Sequence, residues 1–189
     1  MIKIVPYRPE WEAEFRVHSQ AIRDALGDLA LRIDHIGSTS VPGLAAKDVI
    51  DIQVTTAELT TSVETLLAEA GYQRRERVTS DHVPPGADGE RKEWSKWLFC
   101  PSDDRHSANI HVRCAGKANQ RYALLFRDFL RADQAMAAAY QRLKETLAHY
   151  HPEDLAAYSY IKDPVCDVIM VAAEAWAGGT GWNAGRSDA

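Results

Sequence analysis

The sequence predicts an α+β domain in which helices cover mainly one face of a β-sheet and a helical segment follows. One helical pattern comes first, a group of short β-branched segments interrupted by a helix comes next, and residues 119–176 return to helical patterning. The chain has 189 residues, of which 46% are hydrophobic and 26% charged, and this is enough to bury one core. We therefore expect a single domain over residues 1–177 and a flexible tail over residues 178–189.

The N-terminal segment is predicted to form an amphipathic helix that ends at Gly27. Pro9 and Glu10 are typical of a first helical turn, where proline loses no hydrogen bond and an acid suits the positive end of the dipole. Buried positions then recur at helical spacing: Trp11, Phe15, His18, Ile22 and Leu26. Beyond Gly27, alternation of apolar and other residues predicts a strand whose buried face carries Leu29, Leu31 and Ile33.

Four more strands are predicted, over residues 49–54, 72–78, 93–100 and 108–113, and the first of them is rich in β-branched residues. A helix over residues 58–70 separates the first two and stops before Gly71. Turn-forming residues over 79–90 predict a mobile loop. The C-terminal helical region is expected to break around Pro152 and Pro164, because proline interrupts helical hydrogen bonding.

Composition excludes several functional classes. Lys and Arg total 22 against 27 Asp and Glu, and the resulting charge of -5 disfavours a nucleic-acid partner. Three cysteines without CxxC spacing indicate neither a disulfide framework nor a thiolate zinc site, and they fit a reducing, cytoplasmic location. No apolar run approaches membrane-spanning length, and the first residues do not form a signal peptide, so we expect no membrane partner.

A glycine and hydroxyl residues follow the first predicted strand, at Gly37, Ser38 and Thr39. Such a loop brings backbone N–H groups and hydroxyl donors close to a phosphate. The spacing from Gly37 to Gly43 and Lys47 does not match a kinase-type P-loop, which needs Lys directly after its second glycine. Taken alone, the loop fits an ordinary connection between strands better than a phosphate site.

Two predicted strands carry polar residues on one face each. Asp51 and Gln53 are two residues apart and therefore point to the same side, whereas Asp48 points away. On the later strand Asn109, His111 and Arg113 share a face. Asp51 with His111 could form a reduced one-metal site or an acid/base pair, and the alternative for His111 is a half-buried structural histidine.

Lys47 and Arg113 flank these strands and are the preferred cations for a phosphate, with Lys144 as a weaker third. The other cations considered for the pocket are Arg91, Lys92, Lys96 and Lys162. His35 directly precedes Ile36 and the loop, and we expect it to hold the loop in place instead of touching a ligand.

The motif over residues 35–47, followed by residues 49–52, resembles the GrpB family, a group of nucleotidyltransferase-like proteins that also occurs fused behind dephospho-CoA kinase. Supporting matches lie at residues 7–11, 109–113 and 129–131 and at Tyr140 and Lys144, so the resemblance runs from about residue 5 to 176. It implies a nucleotidyltransferase-like mixed β-sheet. In that superfamily a strand after the glycine-serine loop normally carries two carboxylates.

The resemblance implies a protein that binds a nucleotide or phosphorylated small molecule and transfers a nucleotidyl group with Mg²⁺ or Mn²⁺. Asp51 and His111 are then the catalytic candidates, and Gly37, Ser38, Thr39, Lys47 and Arg113 contact phosphates. The metal ligands implied are Asp51, Gln53 and His111. Gln53 departs from the pattern, because a neutral amide stands where a second carboxylate is expected.

Two alternatives remain open at this point. Because of Gln53, the first is a catalytically degenerate binding or accessory module that serves a partner enzyme, as the fused family members suggest. The second is a hydrolase or metal-binding enzyme that uses His111, His106 and Asp51.

Overall fold

The computed structural model describes residues 1–87 and 90–189, and within them a five-stranded sheet is combined with five α-helices. The strands are β1 (Arg32–Ile36), β2 (Ile50–Thr56), β3 (Tyr72–Arg74), β4 (Trp97–Pro101) and β5 (Ala108–Cys114). The helices are α1 (Glu10–Leu26), α2 (Thr61–Glu69), α3 (Ala118–Ala132), α4 (Gln134–Tyr150) and α5 (Leu155–Thr180). Among these helices, none combines the length and hydropathy that a membrane crossing requires.

The sheet has the strand order β1-β2-β5-β4-β3. The central pair β2 and β5 is parallel, and the other three pairs are antiparallel. The register sets Asp51 beside Asn109 and Gln53 beside His111. The predicted α+β class with a mixed sheet is confirmed.

One face of the sheet forms the main core with α1 and α2. The strands contribute fully buried β-branched side chains, among them Ile52 and Val54 from β2 and Ile110 and Val112 from β5. Because strand side chains alternate, the intervening residues of the same two strands all point to the opposite face. That face is polar and carries the residues singled out in the sequence.

The three C-terminal helices build a second core beside the polar face. Leu125 and Phe129 of α3 pack there with Tyr140 of α4 and with Ile169 and Ala173 of α5. Contacts from α3 to β1 and β5 hold this unit against the sheet. The polar face is therefore partly covered by helices, and its Asp51 side chain keeps 31% of its surface exposed.

Of the three residues predicted on the buried face of the first strand, Ile33 is fully buried as expected, and the other two were wrong. Residues 27–29 form a 3-10 turn, Leu29 and Leu31 are largely exposed, and Ala30 is buried instead. Gly27 has a positive φ of 50° and turns the chain, and the strand begins only at Arg32 and runs to Ile36.

The helix breaks were predicted correctly at Pro152 and wrongly at Pro164. A break that was not predicted separates α3 from α4 at Asp133, whose Oδ1 accepts a hydrogen bond from Met136 N at 2.9 Å and so caps α4. Pro164 lies inside the 26-residue α5. Its ring is exposed, and buried Tyr158 and Ile169 anchor the helix on either side.

Residues 178–180 complete α5, and the residues after them run beside β1. Ser187 Oγ accepts a hydrogen bond from Ile33 N at 2.9 Å, and Arg127 NH1 donates to Asp188 Oδ2 at 2.7 Å. The flexibility expected of this segment stays a prediction. The same holds for the loop over residues 79–90, of which Asp88 and Gly89 lie outside the described residues.

Replacing Pro164 by Ala should raise the free energy of unfolding. Alanine restores an N–H donor inside α5 and removes the proline ring, a change of about 1 to 3 kcal/mol in a helix interior. Urea unfolding followed by circular dichroism measures it. Pro152→Ala, in the connection between α4 and α5, is the control and should give no gain; an equal response of the two variants would contradict a continuous α5.

Candidate functional site

A cleft of about 480 Å³ lies between the polar face of the sheet and helices α3, α4 and α5. The residues predicted for the site and found along its wall are Gly37, Ser38, Thr39, Lys47, Asp51, His111 and Arg113. The sequence-based expectation that the glycine-serine loop and Asp51 line one cleft is confirmed. Gln53 is not part of this wall.

The loop after β1 approaches Asp51 so closely that only glycine fits at residue 37. Gly37 has a φ of +70°, and a Cβ at this residue would lie 2.4 Å from Asp51 Oδ2. Ser40 Oγ donates to the Gly37 carbonyl oxygen at 2.6 Å and closes the turn. The carboxylate of Asp51 is thereby set directly against the backbone of the loop.

His35 packs between helix α1 and this loop and supports the loop. Its ring stacks on Phe15 with 4.9 Å between centroids, and its Nε2 lies 3.0 Å from Thr39 Oγ1. Burial lowers the pKa of His35 to about 4, so the imidazole is neutral at pH 7. His35 thus holds the loop, as the sequence indicated.

Asp51 is ionised at neutral pH and has partners on β5. Asn109 Nδ2 donates to Asp51 Oδ1 at 2.9 Å, and His111 Nε2 lies 3.5 Å from the same oxygen. Burial opposes ionisation, but these two neighbours and the charge of Lys47 outweigh it and hold the pKa of the carboxyl below its ordinary value. Its second oxygen, Oδ2, is the one nearest Gly37.

His111 lies in a chain of polar contacts that crosses the floor of the cleft. Lys96 Nζ lies 3.3 Å from His111 Nδ1 and donates to Asp81 Oδ1 at 2.5 Å. Burial and the charge of Lys96 lower the pKa of His111 to about 4, although Asp51 opposes the change. The imidazole is therefore neutral at pH 7.

The contact with Lys96 decides which nitrogen of His111 carries the proton. An ammonium has only donors, so Nδ1 must accept and Nε2 must carry the proton, which points toward Asp51. If a cation were bound at Nε2, the ring proton would have to move to Nδ1, where it would face the ammonium of Lys96. A histidine that ligates a metal donates its second N–H to an acceptor, and His111 has a donor in that place.

Gln53 is held behind the cleft by both ends of its amide. Its Oε1 accepts from Arg113 NH1 at 2.6 Å, its Nε2 donates to the Gln120 carbonyl at 3.1 Å, and the side chain is fully buried. Of the predicted ligand set, Asp51 alone offers the cleft a carboxylate oxygen. The set Asp51, Gln53 and His111 therefore does not fit Mg²⁺ or Mn²⁺.

Arg113 is occupied by partners within the protein. Its Nε and NH2 donate to the two oxygens of Asp81 at 2.8 and 2.9 Å, and Asn119 Nδ2 donates to the same carboxylate at 3.0 Å. Burial opposes ionisation of Asp81, but Arg113 holds the pKa of its carboxyl far below the ordinary value. Sequence reasoning missed Asp81 and Asn119, because a loop and a helix bring them to β5 from elsewhere in the chain.

Three lysines from separate parts of the chain approach the opposite side of the cleft. Lys47 is exposed, lies 5.4 Å from the ring centroid of Tyr158 and has no ion-pair partner within residues 1–87 and 90–189. Lys144 is buried and donates to the Ala45 carbonyl at 2.5 Å, and Lys162 of α5 lines the same wall. Burial and the charge of Lys162 lower the pKa of Lys144 to about 7.

The remaining wall is aromatic and contains two unsatisfied polar atoms. Trp94 and Tyr122 meet edge to face at 5.8 Å, and Phe126 is stacked on Tyr122 at 6.3 Å. Trp94 Nε1 and Asn119 Oδ1 are buried and have no hydrogen-bond partner among the described residues. Buried polar atoms ordinarily have a partner, so these two mark a place in the aromatic wall where a hydrogen-bond partner is missing.

Replacing Gly37 by Ala should destabilise the protein more than the same change at Gly43. Both glycines have positive φ, +70° and +81°, but only at Gly37 would a Cβ collide with Asp51; at Gly43 nothing lies within 4 Å. We expect about 1 kcal/mol for Gly43→Ala and 1 to 3 kcal/mol beyond that for Gly37→Ala. Denaturant unfolding measures both, and equal costs would disprove the close approach.

Stability should fall as the pH is lowered from about 6.5 toward 4. The pKa of His111 is about 4 in the folded protein against an ordinary value of 6.5, so within this window the unfolded chain binds a proton that the folded chain does not. The His111→Gln variant should lose less stability over this range, by up to about 1.4 kcal/mol per pH unit. His149→Gln, an exposed site on α4, is the control, and identical pH profiles for all three proteins would contradict a buried neutral His111.

Comparison with known proteins gives consistent matches over nearly the whole chain. The profile of the family described as GrpB protein matches residues 1–171. A protein named dephospho-CoA kinase from Mycolicibacterium paratuberculosis is 38% identical over 96% of this chain, but the match covers 48% of that protein. The chain thus spans about half the length of this relative.

Two further matches extend over most of both partners. The UPF0157 protein SCO7215 of Streptomyces coelicolor is 37% identical over 89% of this chain and 81% of its own length. The crystal structure of the conserved protein GrpB from Enterococcus faecalis superposes with a TM-score of 0.71 at 29% identity, covering 92% of this chain and 99% of that one. On these matches, and on a fold and cleft that agree with the motif, the chain belongs to the GrpB protein family.

Proposed function

We propose that the protein binds a nucleotide, or a related phosphorylated small molecule, in the cleft. The observation that carries this proposal is the convergence of Lys47, Lys144 and Lys162 on the wall that also contains Gly37 and Ser38. Lys47 and Lys162 carry ammonium groups and Lys144 has a pKa of about 7, and together with the glycine-serine turn they favour a multiply charged anion. The phosphates of the ligand lie in this half of the cleft.

The aromatic half of the cleft suits a nucleobase. The rings of Tyr122 and Phe126 offer an apolar surface for a base. Trp94 Nε1 has no acceptor and Asn119 Oδ1 has no donor among the described residues, and a base carries groups of both kinds. A ligand with phosphate at one end and a base at the other matches both halves. This is the reason to propose a nucleotide over a simple phosphate ester.

Within this proposal, a binding or accessory module is better supported than an active transferase. The predicted metal ligands do not fit a divalent cation, and transfer of a nucleotidyl group ordinarily depends on metal to neutralise phosphate charge. The partner we propose is an enzyme such as a dephospho-CoA kinase, because the match to this chain covers only 48% of a relative with that name.

The second candidate is transfer of a nucleotidyl group to a hydroxyl acceptor, and Asp51 favours it. Of the cleft carboxylates within the described residues, Asp51 alone has no Lys or Arg within salt-bridge distance, since Asp81 and Asp163 both have such partners. Incubation with labelled ATP, with and without Mg²⁺, tests for a nucleotidylated product that Asp51→Asn should abolish. If no nucleotidylated product forms, the binding or accessory module is the function that the experiment supports.

Lysine and tryptophan variants should separate the two halves of the binding site. Lys47→Met should weaken ATP and tripolyphosphate alike by about tenfold or more, because a charge-assisted contact is lost. Trp94→Phe keeps a ring but removes a donor, so it should weaken ATP by about fivefold and leave tripolyphosphate unchanged. Calorimetry in EDTA measures both, with Lys92→Met as control, because Lys92 is exposed beside Glu90 and outside the cleft.

An Asp51→Asn variant distinguishes binding by lysines from binding through a metal. In EDTA, removal of the negative charge beside the loop should strengthen tripolyphosphate binding. If ATP binds only with Mg²⁺ present and Asp51→Asn abolishes that binding, the metal-independent proposal is wrong. If neither ATP nor tripolyphosphate binds wild-type protein, the cleft is not a phosphate site.

A further inference from the structure

A second cluster of titratable side chains lies outside the cleft. It consists of Glu14 on α1, Asp48 just before β2, and His106 just before β5. His106 Nε2 lies 3.4 Å from Glu14 Oε2 and 3.4 Å from Asp48 Oδ1, and the three atoms offered as ligands lie within 4.8 Å of one another. None of the three residues lines the cleft.

These separations match the edges of a small coordination sphere. Zinc binds histidine nitrogen and carboxylate oxygen at about 2.0 to 2.2 Å in tetrahedral geometry, which sets neighbouring ligand atoms roughly 3.3 to 3.5 Å apart. Both measured edges of the cluster, each 3.4 Å, fall in this range. The three atoms can therefore face one ion without movement of the backbone.

Two of the three candidate ligand atoms are buried without a hydrogen-bond partner in the described part of the chain. These atoms are Glu14 Oε2 and His106 Nε2. The third atom, Asp48 Oδ1, accepts a hydrogen bond from Trp11 Nε1 at 2.7 Å and has a second lone pair to offer. A cation between the three atoms satisfies all of them.

The outer oxygens of the two carboxylates are already held by Arg8. Its NH1 donates to Asp48 Oδ2 at 2.7 Å and its NH2 lies 3.4 Å from Glu14 Oε1, while Trp11 Nε1 donates to Asp48 Oδ1 at 2.7 Å. Hydrogen bonds of this kind orient ligating carboxylates in metal sites. The side chains are thus fixed with Glu14 Oε2 and Asp48 Oδ1 turned toward the imidazole.

We propose that Glu14, Asp48 and His106 bind a divalent cation of the zinc class, with water as the fourth ligand. One imidazole with two carboxylates favours a transition metal over magnesium or calcium, which prefer oxygen ligands alone. The ion ties α1 to the segments that lead into β2 and β5. Lys47 is the neighbour of Asp48, so the same ion positions a lysine of the cleft.

Zinc binding to the chelator-treated protein tests the site by calorimetry. Wild type should bind one zinc ion per chain, and both His106→Gln and Glu14→Gln should weaken that binding by more than about 100-fold, since each removes a direct ligand. His111→Gln should leave zinc affinity unchanged, which separates this site from the cleft. His149→Gln is the neutral control.

Cobalt substitution tests the ligand type. The protein has three free cysteines, Cys100, Cys114 and Cys166, which are the competing soft ligands. A cobalt complex of Glu14, Asp48 and His106 should show weak visible bands without a thiolate charge-transfer band. That result, together with loss of the bands in Glu14→Gln, supports the proposal.

Three results would overturn it: no saturable zinc binding by wild type, unchanged affinity in both ligand variants, or a thiolate band in the cobalt spectrum. Circular dichroism of the metal-free variants shows whether each one is folded. If His106→Gln is unfolded, the decision falls to Glu14→Gln, which keeps the size and hydrogen-bonding capacity of the side chain.

Discussion

The site depends on the pairing of Arg113 with Asp81. Arg113 projects from β5 beneath the C-terminal helices and is 5% exposed, so its charge must be matched inside the protein. Asp81 supplies the countercharge from a loop, and Gln53 Oε1 accepts a hydrogen bond from NH1. Asp81 also binds Lys96, which in turn sets the tautomer of His111. One buried ion pair thereby organises the whole polar face.

This network divides the cleft into two electrostatic halves. On the sheet side, cations and anions satisfy one another, and Asp51 is held by Asn109, His111 and the charge of Lys47. On the helix side, Lys162 pairs with Asp163 at 3.1 Å, Lys47 has no ion-pair partner within the described residues, and burial lowers the pKa of Lys144 to about 7. An anionic ligand is therefore drawn to the lysines, and the Asp51 carboxylate beside the glycine turn opposes it.

The segment between the glycine turn and β2 serves both sites. Lys47 faces the cleft, while Asp48 turns the other way, toward α1 and His106. Asp48 lies in a tight turn, in which Val49 N donates to the Lys47 carbonyl oxygen at 2.8 Å, so a single short segment joins the ligand cleft to the outer cluster. Changes in the outer cluster can thus reach the cleft through one peptide unit.

The sequence by itself determined the class of the fold and which residues share a face. The two-residue period of a strand groups Asp51 with Gln53, and His111 with Arg113, whatever surrounds them. What only the tertiary structure decided is which of these groups stay available to a ligand. Asp81 reaches Arg113 across 32 positions in sequence and occupies its guanidinium, whose NH1 also holds Gln53 behind the cleft. Local patterning carries no information about such distant partners, because they meet only when separate elements pack.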